Sequence, residues 1–220
     1  MRTIAVVARK GGSGKTTVAV HLALSAHLSG RRSVLVDLDP QRSAIEALRM
    51  RRGSGPQRVE ATSRGLYNAQ VLAQRGGAEA MIIDTAAGTD EGMSNAIVLS
   101  DLTLLVVRPT FLDLAAAART AEVLGWLRKP GLVVLNQAPS ARDGVEPPAV
   151  RKALRALMVL GLPIVPVVLR SRTSYQTALE TGRSALEIDP AGPAAGELNA
   201  LWRFMERLAF APRGRLERRA

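Results

Sequence analysis

The chain has 220 residues, 47% of them hydrophobic, with 19 glycines and 12 prolines spread along it, which suits one well-packed domain and is short for two. It has no cysteine, which excludes a disulfide framework, a thiolate nucleophile and any Cys-ligated zinc or iron–sulfur centre. Thirty Lys+Arg against 19 Asp+Glu leave a formal charge of +11, an excess that favours phosphate-rich partners, either nucleic acid or an anionic membrane surface.

Met1-Arg2-Thr3 leads directly into an apolar strand pattern, without the layout of a signal peptide. Short, branched and nearly continuous apolar runs predict buried strands at Thr3–Ala8, Ser33–Leu38, Ala80–Asp84, Leu102–Val107, Gly131–Asn136 and Leu162–Leu169. Helical patterns fall between them at Thr16–Ser29, Ser43–Arg51, Leu66–Gln74, Leu112–Leu127 and Pro148–Leu160, and a last one covers about Ala195–Phe210. His21 and His27 lie in the first of these, six residues apart and not in metal-ligand spacing on one face, so they read as ordinary helix residues. Turn-rich Arg52–Ser63 is expected to be a flexible surface loop. The longest apolar stretch, Leu157–Leu169, is broken by Gly161, Pro163 and Pro166 and is too short to span a bilayer, so a cytoplasmic protein is expected. The alternation predicts an α/β fold: a mostly parallel, doubly wound sheet of the P-loop NTPase type with helices on both faces. A single domain is expected over residues 1–210, followed by a basic, flexible tail at 211–220.

Three segments fall at the carboxyl ends of predicted strands, where such sheets bind ligands. In "ARKGGSGKTT" the amides of Gly11, Gly12, Ser13, Gly14 and Lys15 can form a nest for nucleotide phosphates at the start of a helix. Lys15 would bridge the β- and γ-phosphates and the Thr16 hydroxyl would ligate magnesium. The usual first glycine is replaced by Arg9, and a second lysine, Lys10, follows. Only four of the 30 basic residues are lysine (Lys10, Lys15, Lys129, Lys152), yet both loop cations are; a compact ammonium fits between phosphate oxygens, so Lys10 reads as a phosphate ligand. In "VLVDLDPQ" Asp37 and Asp39 stand two residues apart, facing the loop, where they can order magnesium's water shell and the attacking water. In "AMIIDTAAG" Asp84 ends a strand in the manner of an acid that holds magnesium through water, and the Gly88 amide can approach the γ-phosphate in a switch loop. Asn136, at another strand end, can read the adenine ring or serve as a turn residue.

With these residues in place the chain resembles the ParA/MinD family of deviant Walker A ATPases. The family's Lys-Gly-Gly-x-Gly-Lys-Thr-Thr pattern is matched from Lys10 to Thr17, and "DLDPQ" and "IIDTAAG" are similar to its second and third motifs, with Ala86 and Ala87 where many members have prolines. Similarity continues through Val106–Leu124 and Leu169–Glu187, and it is greatest to small partition ParA proteins without an N-terminal helix-turn-helix domain. The resemblance implies ATP and Mg2+ as cofactors and a slow ATPase that forms a nucleotide-sandwich homodimer, with Lys10 reaching the other subunit's phosphates and Asp39 positioning water. It further implies non-specific binding of double-stranded DNA, association with the nucleoid, and stimulation by a ParB-like partner in plasmid, chromosome or other cargo partition. Candidate DNA contacts are Arg170, Arg172, Arg183, Arg203 and Arg207, in the basic last third of the chain, with Arg172 foremost. Two alternatives remain at this point. One is a MinD-like membrane ATPase, since Leu198, Leu201, Trp202, Met205 and Leu208 have helical spacing with arginines beside them; the other is a metabolic P-loop enzyme.

Overall fold

The computed structural model describes residues 1–88 and 91–210. The tail expected at 211–220 lies outside the described residues. In chain order the elements are β1 (Arg2–Val7), α1 (Lys15–Leu28), β2 (Ser33–Asp37), α2 (Ser43–Arg49), β3 (Gln57–Glu60), α3 (Leu66–Arg75), β4 (Ala80–Asp84) and α4 (Glu91–Leu99). They continue with β5 (Leu102–Val107), α5 (Phe111–Trp126), β6 (Gly131–Ala138), α6 (Pro148–Met158), β7 (Ile164–Arg170), α7 (Thr173–Glu180), α8 (Ala185–Ile188) and α9 (Pro193–Ala209). The strands form one sheet in the order β3-β2-β4-β1-β5-β6-β7, every described pairing parallel. The expected α/β class is borne out.

Strand residues alternate between two cores, as the two-residue pleat requires. Ile4, Val6, Ile82, Leu104 and Val134 join one cluster with α1 and α9. Ala5, Val7, Met81, Ile83, Leu105 and Val133 join another with residues of α4, α5 and α6. Both faces being covered explains why these strands read as unbroken apolar runs. At roughly 25 cal/mol per Å2 of apolar area, burying each Ile or Leu of this sheet contributes about 1.5–3 kcal/mol.

Two features of the chain differ from expectation. Within the predicted loop Arg52–Ser63 lies β3, an edge strand paired with β2; its Gln57, Arg58 and Glu60 are exposed, so it lacks an apolar signature, and its charges suit an unpaired sheet edge. Helix α4 and the short helices α7 and α8 had no predicted counterpart. The C-terminal helix α9 is packed into the fold: Leu198, Leu201, Trp202 and Met205 are at most 5% exposed. Its far end is fastened by Arg31, which hydrogen-bonds Glu206 and lies 4.1 Å over the Phe210 ring. The apolar stripe that suggested a membrane helix is therefore core. No described helix is long and apolar enough to cross a membrane.

Candidate functional site

β1 lies at the centre of the sheet, and the chain leaves its carboxyl end through the glycine loop to start α1 at Lys15. Strand order reverses here, because β2 to β4 lie on one side of β1 and β5 to β7 on the other, which opens a crevice at the strand ends. Lys15 is 6% exposed. Burial lowers its pKa, opposed by the charges of Asp84 and Asp39, which places the three groups within one field.

Asp84 is paired in register with both Val6 of β1 and Asp37 of β2. It is fully buried, and neither carboxylate oxygen has a hydrogen-bond partner among the described residues. Burial pushes its pKa up to about 7, reinforced by Asp37 and Asp39; the Thr16 hydroxyl, near but outside hydrogen-bond geometry, and the Lys15 charge act in the opposite direction. A buried, orphaned carboxylate beside a hydroxyl and a loop of amides fits a hydrated Mg2+, which takes phosphates and waters for most of its ligands. Accordingly, the described residues contain no cage of three or more His, Asp or Glu.

The paired acids have separate tasks. Asp37 was expected to face the metal, but both its oxygens accept backbone amides: Oδ1 from Asp39 at 2.9 Å, Oδ2 from Ala44 at 3.0 Å and Ile45 at 3.2 Å. It fastens the start of α2, the alternative use of an acid at a strand end, and burial raises its pKa while those amides lower it. Asp39 lies beyond the strand, is partly exposed and accepts the Gln41 amide at 3.0 Å. It borders a cleft of about 680 Å3 at the ends of β2, β3 and β4.

The loop is braced from a distance. Asn136 Nδ2 donates to Ser13 O at 2.8 Å, and Gln137 Nε2 donates to Gly12 O at 3.0 Å. Gln137 holds φ at 51°, in a register irregularity of β6 against β7, and this left-handed step turns its amide toward the loop. A Cβ on Gly14, at φ 88°, would collide with Asn136 Nδ2. The amide expected to read adenine is thus engaged on the loop itself. Gly11 and Gly12 are exposed while Ser13 is buried. On α1, the Thr17 carbonyl accepts His21 Nδ1 at 2.8 Å. The Thr85 hydroxyl donates to Val6 O at 3.0 Å, fixing the start of the segment that leads to Gly88.

Lys10 stands at the exposed mouth, 4.0 Å from Asp113 Oδ2. Arg108 grips the same carboxylate through Nε at 3.0 Å and Nη2 at 3.2 Å, and the Thr110 hydroxyl donates to it. Burial pushes the Asp113 carboxyl up, but these donors and the Lys10 charge outweigh it and hold the group below its ordinary range. Arg108, Asp113 and Gln137 were absent from the sequence-based site. Their only signal was the position of "VVRPTFLD" and "LNQA" at strand ends.

The expected DNA contacts divide into two sets. Arg170 is bound to Glu146 and to Pro139 O, and Arg172 donates to Glu197 at 2.9 and 2.7 Å. Glu197 also accepts Tyr175 OH at 2.6 Å and the Arg170 amide. Both guanidinium groups, that of Arg172 included, are thus engaged in ion pairs within the fold. Arg183, Arg203 and Arg207 are exposed, although Arg183 also donates to Glu187 O.

Comparison with known proteins agrees with this geometry. The model of the CobQ/CobB/MinD/ParA nucleotide binding domain matches residues 4–185. The chain is 30% identical over 214 residues to the "Maintenance of carboxysome distribution protein A" of Halothiobacillus neapolitanus, covering 90% of this chain and 94% of that one. The cell division ATPase MinD of Pyrococcus furiosus superposes with a TM-score of 0.72 at 23% identity, over 94% of this chain and 99% of that one. An ATP complex of Cyanothece McdA gives 0.69 at 19% identity, over 91% and 96%. These two structures show a shared fold. With its phosphate loop, buried acid and central strand order, the chain belongs to the CobQ/CobB/MinD/ParA family of P-loop ATPases.

Proposed function

We propose that this ATPase positions a cargo: it closes as a homodimer around ATP, binds double-stranded DNA non-specifically in that state, and is released when an adaptor protein of the ParB kind stimulates hydrolysis. The observation that supports this most directly is the second loop lysine, Lys10, partly exposed beside Asp113 where Lys15 is buried. A cation placed there serves a second set of phosphates. The end-to-end similarity to a carboxysome distribution protein supports a protein assembly as cargo over a plasmid or chromosome.

In the chemistry, the loop amides and Lys15 hold the phosphates, and Thr16 and Asp84 would hold Mg2+, which when bound neutralises charge on the β- and γ-oxygens. Asp39, at the cleft, orients water toward the terminal phosphate. Lys10 adds positive charge where negative charge develops. The exposed Arg183, Arg203 and Arg207 are the proposed phosphate contacts for DNA.

The test measures binding of the pure protein to unrelated duplexes with ATP, ADP or no nucleotide, at two salt concentrations. Binding only with ATP, falling steeply with salt, is expected. Lys10→Ala should retain nucleotide and lose the ATP-dependent dimer in size-exclusion light scattering. Equal DNA binding with ADP and ATP, or an unaltered Lys10→Ala dimer, sinks the proposal.

A further inference from the structure

Arg108 follows β5 and folds back over the phosphate loop. Its Nε and Nη2 are tied to the two oxygens of Asp113. That carboxylate is fixed in turn by Thr110, the N-cap of α5, whose hydroxyl also accepts the Asp113 amide. The remaining nitrogen, Nη1, has no hydrogen bond among the described residues and lies 3.6 Å from where a Cβ on Gly12 would stand. The Arg108 side chain is 26% exposed and that of Asp113 only 3%, so the acid is sealed beneath and the cation opens outward.

The local charge does not balance. Lys10 and Arg108 share one carboxylate, leaving one positive charge in excess beside amides arranged for anions. The excess stands beside exposed Gly12, not at the buried base where Lys15 sits. A guanidinium with two nitrogens held by a buried acid presents the third with little freedom left to lose.

We propose that Arg108, oriented by Asp113, determines nucleotide specificity at this site: its free Nη1 recognises the terminal phosphate of a nucleoside triphosphate, so that triphosphate is distinguished from diphosphate. The inference rests on the ATPase reading of the same site.

The test compares binding of mant-AMPPNP and mant-ADP by the wild-type protein and by Arg108→Gln, Arg108→Lys, Asp113→Asn and Lys15→Ala, with thermal unfolding to verify folding. Arg108→Gln should weaken the triphosphate analogue about tenfold, the size of one charge-assisted hydrogen bond, and mant-ADP less than about twofold. Arg108→Lys keeps the charge but loses the fork, so it should remain weakened. Asp113→Asn keeps the arginine but loosens it, and should weaken the triphosphate analogue about threefold. Equal effects on both nucleotides, or none in folded Arg108→Gln while Lys15→Ala loses both, overturn the assignment of Arg108 alone. A wild-type protein that binds neither nucleotide overturns the ATPase reading with it.

Discussion

Asp84 and His21 are buried ionisable residues whose titrations act on stability in opposite directions with pH. Asp84 titrates near 7 in the fold against 3.8 in the unfolded chain, so the folded state holds more protons between those values and stability falls as pH rises through them. Asp84→Asn should therefore stabilise the nucleotide-free protein at pH 8 by a few kcal/mol, at about 1.4 kcal/mol for each pH unit that separates the two values. The advantage should vanish at pH 4, and Mg-ATP should no longer raise the melting temperature; differential scanning calorimetry with and without Mg-ATP checks both. His21 is lowered to about 4 by burial, and its Nδ1 donates to the Thr17 carbonyl, which leaves Nε2 as a buried acceptor without a partner among the described residues. Here the unfolded state holds more protons between pH 4 and 6.5, so its stabilising contribution is complete above 6.5 and lost as pH falls to 4. The loss is on the order of 3 kcal/mol. With Asp84→Asn as background, which removes the opposing titration, urea unfolding at pH 7 and pH 4 should show this loss, and adding His21→Phe should make the pH difference smaller.

At the scale of elements, the arginines at the end of β7 and just beyond it, Arg170 and Arg172, join this strand to α9. Glu197 on α9 accepts the Arg170 amide, the Arg172 guanidinium and the Tyr175 hydroxyl, while Tyr175 lies edge-on to His21, their centroids 5.4 Å apart. Side-chain exposures of 24% for Arg172 and 12% for Glu197 make this a partly buried pair. Removing one partner leaves a desolvated charge behind. Arg172→Ala should lower unfolding free energy by about 1–3 kcal/mol, whereas Arg203→Ala should not; chemical denaturation of the two variants separates a tie from a surface charge. This pairing was not legible in the sequence, because Arg172 and Glu197 are brought together by a helix that begins only at Pro193. A run of arginines looks the same whether or not an acid from elsewhere meets each one. β3 was hidden for a related reason: an exposed edge strand buries too little to leave an apolar pattern, so turn residues around it dominated.

For the whole molecule, the fold was legible wherever strands were buried on both faces, and the phosphate loop wherever its residues were contiguous. Lys10 to Thr17 and Asp84 stood out because backbone geometry and chemistry coincide in a few neighbouring residues. Arg108, Asp113 and Gln137 were not legible, since each acts on a loop about a hundred residues earlier in the chain. The brace from Asn136 and Gln137 to the carbonyls of Ser13 and Gly12 spans 123 and 125 residues. The loop's sequence is complete by Thr17, but its shape depends on a strand made much later. During synthesis the nascent chain carries the whole motif long before β6 can dock beside β5. ATP, which stabilises only the form it binds, therefore selects chains whose sheet is finished, and nucleotide occupancy becomes a readout of complete assembly.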